Sequence, residues 1–270
     1  MNLFSLQDKV VVITGGTGVL GGSAANYLAQ NGAKIALIGR NQEKLNSACK
    51  DIEANGGVAH GFVANILDKT SVSKAKDEVL AAFGQIDVLL NVAGGNMPGA
   101  TIPDDKTVFD MSLEDFNTVT ELNLTGTVVP SMVFGEVMAK QKKGSIITYS
   151  SMASDRAITR VVGYSASKAG MENFTQWMAV ELAKKFGDGL RVNAIAPGFF
   201  IGNQNRRLLT NEDGSYTQRG NTIITNTPMG RFGDADELNG AIHYLATDAS
   251  KFVTGIVLPI DGGFSAFSGV

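Results

Sequence analysis

Thr14-Gly15-Gly16-Thr17-Gly18-Val19-Leu20-Gly21 decides the fold of this 270-residue chain. The stretch follows an apolar β-branched run, Val10 to Ile13, and opens a helical pattern, Leu20 to Asn31. A strand that turns through glycines into a helix gathers free N–H groups and the positive end of the helix dipole at one point. A pyrophosphate fits there. Gly15, Thr17, Gly18, Val19, Leu20 and Gly21 are therefore candidate cofactor contacts. The plainer reading is a glycine-rich turn of any α/β protein.

Outward from this turn, short apolar runs alternate with longer helical patterns. Strands are expected at 9–14, 33–38, 58–63, 86–90, 145–149, 190–194 and 256–259. Each is short and mostly apolar rather than alternating, as parallel strands covered on both faces are. Helices are expected at 20–31, 42–55, 69–83, 113–140, 162–186 and 234–246, the last opened by an Asp234/Glu237 capping box. Seven strands with interleaved helices predict a doubly wound α/β sheet in one domain, residues 1–270. Two irregular stretches, 94–110 and 197–228, follow strand ends, where open α/β sheets bind ligands.

Composition narrows the function classes. The chain has one Cys, Cys49, and two His, so a multi-Cys or multi-His metal site is not expected. Its net charge of −3 carries no basic excess for nucleic acid or an anionic membrane. No apolar run approaches the roughly 20 residues a membrane span needs, and residues 1–9 do not read as a signal peptide. A cytoplasmic setting is the expectation. Charged residues make up 18%, below the usual ~25%, which suggests a surface partly covered by other copies of the chain.

The second strand ends Ile38-Gly39-Arg40. Gly39 stands where an acid would hold an NAD ribose, and Arg40 suits a 2′-phosphate. NADP(H) is thus favoured over NAD(H), although no basic residue lies in the glycine loop. Arg40 could also be a solvated helix-start residue. Asn65, followed by Ile66 after the third strand, could meet the adenine edge or simply close a turn. Asn91, Ala93 and Gly94, after the fourth strand, would let the cofactor pass close to the backbone.

Tyr164 and Lys168 stand at i and i+4 on one helix face. A neighbouring ammonium favours phenolate, so Lys168 would lower the Tyr164 pKa from about 10. Ser150 and Ser151 end the fifth strand, and the Ser151 hydroxyl could bond a substrate carbonyl. Tyr-x-x-x-Lys alone is weak; behind a nucleotide loop and a strand-terminal Ser it is strong.

With Asn123, Pro197-Gly198 and Asp261-Gly262-Gly263 added, the chain resembles the short-chain dehydrogenase/reductase family over essentially its whole length. The resemblance implies a Rossmann fold, a homotetramer and cofactor contacts at Pro197 and Gly198. It also implies a tetrad of Ser151, Tyr164, Lys168 and Asn123. Tyr164 would be the acid/base and Ser151 would polarise the carbonyl. Lys168 would tune Tyr164 and bind ribose. Asn123 would position a helix segment and a water of the proton relay. Two positions depart from the family pattern. Val19 stands in place of the middle loop glycine, and Gly202 stands where a Thr often follows Pro-Gly.

Within the family, Gly94–Gly99, Asn173–Trp177, Pro197–Phe200, Thr227–Gly233 and the tail from Asp261 are similar to D-mannonate oxidoreductases (fructuronate reductases). The small-molecule substrate implied is a sugar acid. Its carboxylate needs a cation, best an Arg fork, and its hydroxyls need amides. Arg156 or Arg160 is expected for the carboxylate and Asn96 and Asn203 for hydroxyls; each arginine could instead be solvated or lie at a subunit contact. Alternatives are a gluconate dehydrogenase-like enzyme, a 3-oxoacyl reductase, or a non-catalytic nucleotide-binding protein. The tail from Phe264 is expected at a subunit interface, or folded on its own chain.

Overall fold

The structure is a computed structural model, which describes residues 2–202 and 205–269. Seven strands form: β1 (Val10–Thr14), β2 (Lys34–Gly39), β3 (Val58–Val63), β4 (Val88–Asn91), β5 (Gly144–Tyr149), β6 (Leu190–Pro197) and β7 (Val257–Ile260). All pair in parallel, in the order β3-β2-β1-β4-β5-β6-β7. Thr14 at the end of β1 registers with Ile38 on one side and Asn91 on the other. Chain progression reverses between β1 and β4, and the crevice beyond those strand ends is where such sheets bind dinucleotides.

The continuous apolar runs are explained by two cores. Val11 and Ile13 face one side with α1 (Val19–Gln30), α2 (Gln42–Ala54) and α9 (Asn239–Ala246). Val10 and Val12 face the other with α3 (Lys69–Phe83), α5 (Gly126–Gln141) and α6 (Val162–Phe186). Successive strand residues point to opposite faces, so a sheet covered twice needs no polar alternation. Each such side chain contributes about 1.5–3 kcal/mol by burial.

Two expectations change. The helix expected over 113–140 is α4 (Leu113–Thr120), then a π turn (Glu121–Thr125), then α5. A π turn adds a residue to a helix without ending it, so the chain still reads as one long helix; such turns concentrate at functional sites. The irregular 197–228 stretch also carries structure. It holds α7 (Arg206–Leu209), a Thr210–Tyr216 bridge, and α8 (Gln218–Thr225), whose cap Thr217 accepts from Gly220 N–H. Leu209 and Ile223 bury against Phe232 beneath a polar surface. The Asp234/Glu237 pair forms, with Glu237 accepting from Asp234 N–H at 2.8 Å, at the head of a 3-10 turn that leads into α9.

Candidate active site

The residues expected to be catalytic meet at the carboxyl ends of β4 and β5. Ser151 leaves β5, and α6 brings Tyr164 and Lys168 over the same end. Lys168 is 4% exposed; its Nζ donates to the Tyr149 carbonyl at 2.5 Å and lies 5.5 Å from the Tyr164 ring centroid. The π turn presents Asn123, fully buried, whose Nδ2 donates to the Gly95 and Val119 carbonyls while its Oδ1 accepts from Gly95 N–H. Asn123 thus ties the loop after β4 to the turn. Gly94 must be glycine here: a Cβ would lie 2.7 Å from Asn123 Oδ1 and 3.5 Å from Lys168 Nζ.

Electrostatics correct one expectation. Burial pushes the Tyr164 phenol above its ordinary value, and hydrogen bonding with Ser151 draws it part of the way back. Lys168, expected to be the lowering charge, is turned to the Tyr149 carbonyl. Burial depresses it to about 8, with the Glu172 carboxylate opposing. Desolvation disfavours the charged form of both groups.

The loop between β1 and α1 fits a dinucleotide phosphate. Gly18 caps α1 with no side-chain bond to the first-turn N–H groups, and no acid lies in that turn. Thr17, Gly18 and Val19 are exposed around it, while Leu20 packs on the core. Gly15 sits at φ +70°, and a Cβ there would strike Ala93 backbone at 2.8 Å. Gly21 lies directly against the Gly15 carbonyl. Ala93 N–H donates to Thr14 Oγ1 at 3.3 Å, joining the two strand ends. Gly198 N–H bonds the Ile260 carbonyl just past Pro197, and Arg40 is exposed beyond β2.

Other expected cofactor residues do different local work. Asn91 is buried and donates to Ser131 Oγ of α5 at 2.9 Å. Asn65 Oδ1 accepts from Leu67 N–H, closing a turn, and Ile66 packs against the start of α5 at Gly126.

The rim is built from the segments that follow β4, β5 and β6. Arg160, at φ +77°, donates Nε to Asp104 Oδ1 at 3.0 Å and Nη2 to Asp104 Oδ2. Arg219 of α8 reaches the same spot, donating to Thr159 Oγ1 and the Thr159 carbonyl. Burial and the nearby Arg160 charge lower its pKa. Asn96 Nδ2 donates to Thr101 Oγ1, while its Oδ1 is buried without a protein partner. Arg156 instead donates to the Ser265 carbonyl at 2.6 Å. With the Phe199–Phe264 edge contact, it holds the start of the tail on its own chain. Asn203 lies outside the described residues. Asn205 bonds Gly202 N–H and the Phe200 carbonyl, shaping the turn where the family's Thr is replaced.

A family model described as Enoyl-(Acyl carrier protein) reductase matches residues 18–265. The chain belongs to the short-chain dehydrogenase/reductase family. It is 46% identical over 275 residues to an uncharacterised oxidoreductase of Bacillus subtilis, UxuB, with 98% of each chain covered. A solved structure from Haemophilus influenzae, provisionally named a D-mannonate oxidoreductase and holding NAD, aligns with a TM-score of 0.92 at 41% identity, over 98% of each chain. Another, from Beutenbergia cavernae, is provisionally named a gluconate 5-dehydrogenase and holds NADP. Its TM-score is 0.86 at 31% identity, over 98% of this chain and 100% of that one.

This short-chain dehydrogenase/reductase is an oxidoreductase with an NAD(P)-binding fold that acts on alcohol groups. Among the described residues no helix is long and apolar enough to cross a membrane, and no cluster of three or more His, Cys, Asp or Glu could hold a metal. Asp104 and Arg219 were not among the residues expected at the site. Their contacts reach across 56 and 60 residues, so no local spacing marks them.

Proposed function

We propose that this oxidoreductase interconverts a hydroxy sugar acid and its keto form, of the D-mannonate/D-fructuronate type. The observation that carries the reading is Arg160 at the rim, already holding a carboxylate, that of Asp104, through two parallel bonds. That fork is the geometry a sugar-acid carboxylate requires. Arg219 adds a second positive charge, and the unpartnered Asn96 Oδ1 can accept from a hydroxyl. The mannonate and gluconate names of the similar structures support the same substrate class.

A bound nicotinamide dinucleotide supplies or takes up the hydride. Tyr164 exchanges the hydroxyl proton, Ser151 donates to the carbonyl oxygen, and Lys168 carries positive charge beside Tyr164. Asn123 fixes the loop that borders them. Gly15 to Gly21 would hold the pyrophosphate and Lys168 the ribose. Exposed Arg40, with no acid at Gly39, supports NADP(H) as the preferred form, with NAD(H) also accepted.

A cytoplasmic homotetramer belongs to the same reading. Trp177, at 60% exposed, and Val180 on α6, with Met132 on α5, offer apolar surface for self-association. Light scattering during size exclusion would read four chain masses.

The test of function is oxidation of D-mannonate and D-gluconate, each with NAD and with NADP. Turnover of at least one acid is expected, with NADP the more efficient coenzyme and Arg40→Ala removing that advantage. Failure with both acids, alongside activity on a 3-oxoacyl thioester, would refute the sugar-acid reading.

A further inference from the structure

Glu172 stands one helical turn beyond Lys168, on the same face of α6. Its carboxylate is not spent on an exposed cation. Glu172 Oε1 accepts from the Ser150 hydroxyl, and the Ser154 hydroxyl lies 2.6 Å from the same oxygen. Ser154 Oγ is also 2.6 Å from the Ser151 carbonyl oxygen, and Ser151 Oγ accepts from Ala153 N–H. Ser150 and Ser154 bracket Ser151; with the single Ser154 proton directed to Glu172 rather than to the Ser151 carbonyl, one carboxylate oxygen holds both ends of the short turn that carries the Ser151 hydroxyl. Ser150 is 4% exposed, so its bond to Glu172 is shielded from water and strengthened by the ionised acceptor.

Among the described residues, the other groups against Lys168 are uncharged. Tyr164 approaches from its own helix, the Tyr149 carbonyl from β5, and Gly94 with the Asn123 amide from the β4 loop and π turn. Glu172 is the charge that bears on the ammonium. An ammonium this deeply buried would otherwise favour its neutral form.

We propose that Glu172 is a positioning residue of this site: it clamps Ser150 and Ser154 around Ser151 and sets its negative charge one helical turn from Lys168. The inference rests on the Tyr164/Lys168 chemistry of the family and not on which acid or alcohol is the substrate.

Two variants separate the roles. Glu172→Gln keeps oxygen acceptors for the serines and removes the charge; Glu172→Ala removes both. The first readout needs neither cofactor nor substrate. Lysine Cε resonances of the apoprotein are titrated by NMR, with Lys168 identified by its loss in Lys168→Met. The Lys168 midpoint is expected to fall by a unit or more in Glu172→Gln. An unmoved midpoint would overturn the electrostatic role.

The second readout is the pH profile on whichever alcohol the wild type oxidises. Glu172→Gln should lose kcat progressively as pH rises, keeping most of it at pH 6. Glu172→Ala should also lose kcat severalfold at pH 6, with KM for the coenzyme unchanged. A loss equal at every pH in Glu172→Gln would mark a purely structural role. Full activity of Glu172→Ala at pH 6 would overturn the clamp. Melting temperatures of both variants identify any that fail to fold.

Discussion

The floor of the cleft and its rim hold their polar side chains on opposite terms. On the floor, Lys168 and Asn123 are buried, and each bond they make goes to main chain. On the rim, one charged pair is held side chain to side chain near the surface. Asp104, 83% exposed at its side chain, meets Arg160, and Arg219 leans on Thr159. A floor held by backbone is preorganised and fixes where protons move. A rim held by exchangeable side-chain pairs can trade one carboxylate for another. In the proposed reading, the chemistry common to the family lies where geometry is fixed, and substrate choice where it is negotiable.

The largest effect should break the floor. Tyr164→Phe is expected to lower kcat by about a hundred- to ten-thousandfold, the usual worth of a positioned acid/base. Coenzyme affinity, measured by fluorescence titration, should stay within a few-fold. On the rim, Arg160→Ala removes a charge-assisted pair worth about 1.5–3 kcal/mol. KM for a sugar acid should rise roughly ten- to hundredfold, with little change for a neutral alcohol. If both substrates suffered equally, Arg160 would belong to the scaffold.

Smaller effects sharpen the contrast. Gly15→Ala forces a side chain into left-handed backbone against Ala93. Strain of this kind costs about 1–3 kcal/mol, readable as a lower denaturation midpoint and weaker coenzyme binding. Lys168 gives a pH signature. Its folded value of about 8 lies below its ordinary 10.5, so between these limits the unfolded chain binds more protons. Stability of the apoprotein should therefore rise from pH 8 to pH 10 relative to Lys168→Met. Tyr164, shifted upward, acts only at higher pH. Least of all, Asp104→Asn should lower KM for a sugar acid a few-fold by freeing Arg160. An increase would mean that Asp104 serves to hold Arg160 in place.

The same contrast explains what could be read from sequence. The strands, the glycine turn and the Tyr164/Lys168 pair are local patterns, and each lies where its period places it. Asn123 could be picked out by resemblance, but the π turn that presents it does not end the helix and so reads as part of one. Asp104, Arg219 and Glu172 act through partners on other segments, and a charge on a loop or helix face has no local signature. Arg156 had the right type and neighbourhood, yet the main chain of the tail claims it.

The most direct test of the account is kcat/KM for D-mannonate against D-mannitol, its uncharged polyol counterpart, in the wild type and in Arg160→Ala. We predict a preference for the acid of at least about tenfold, as one lost charge-assisted bond implies, and its collapse in the variant. Equal efficiency on the two substrates, or a preference that survives Arg160→Ala, would contradict it.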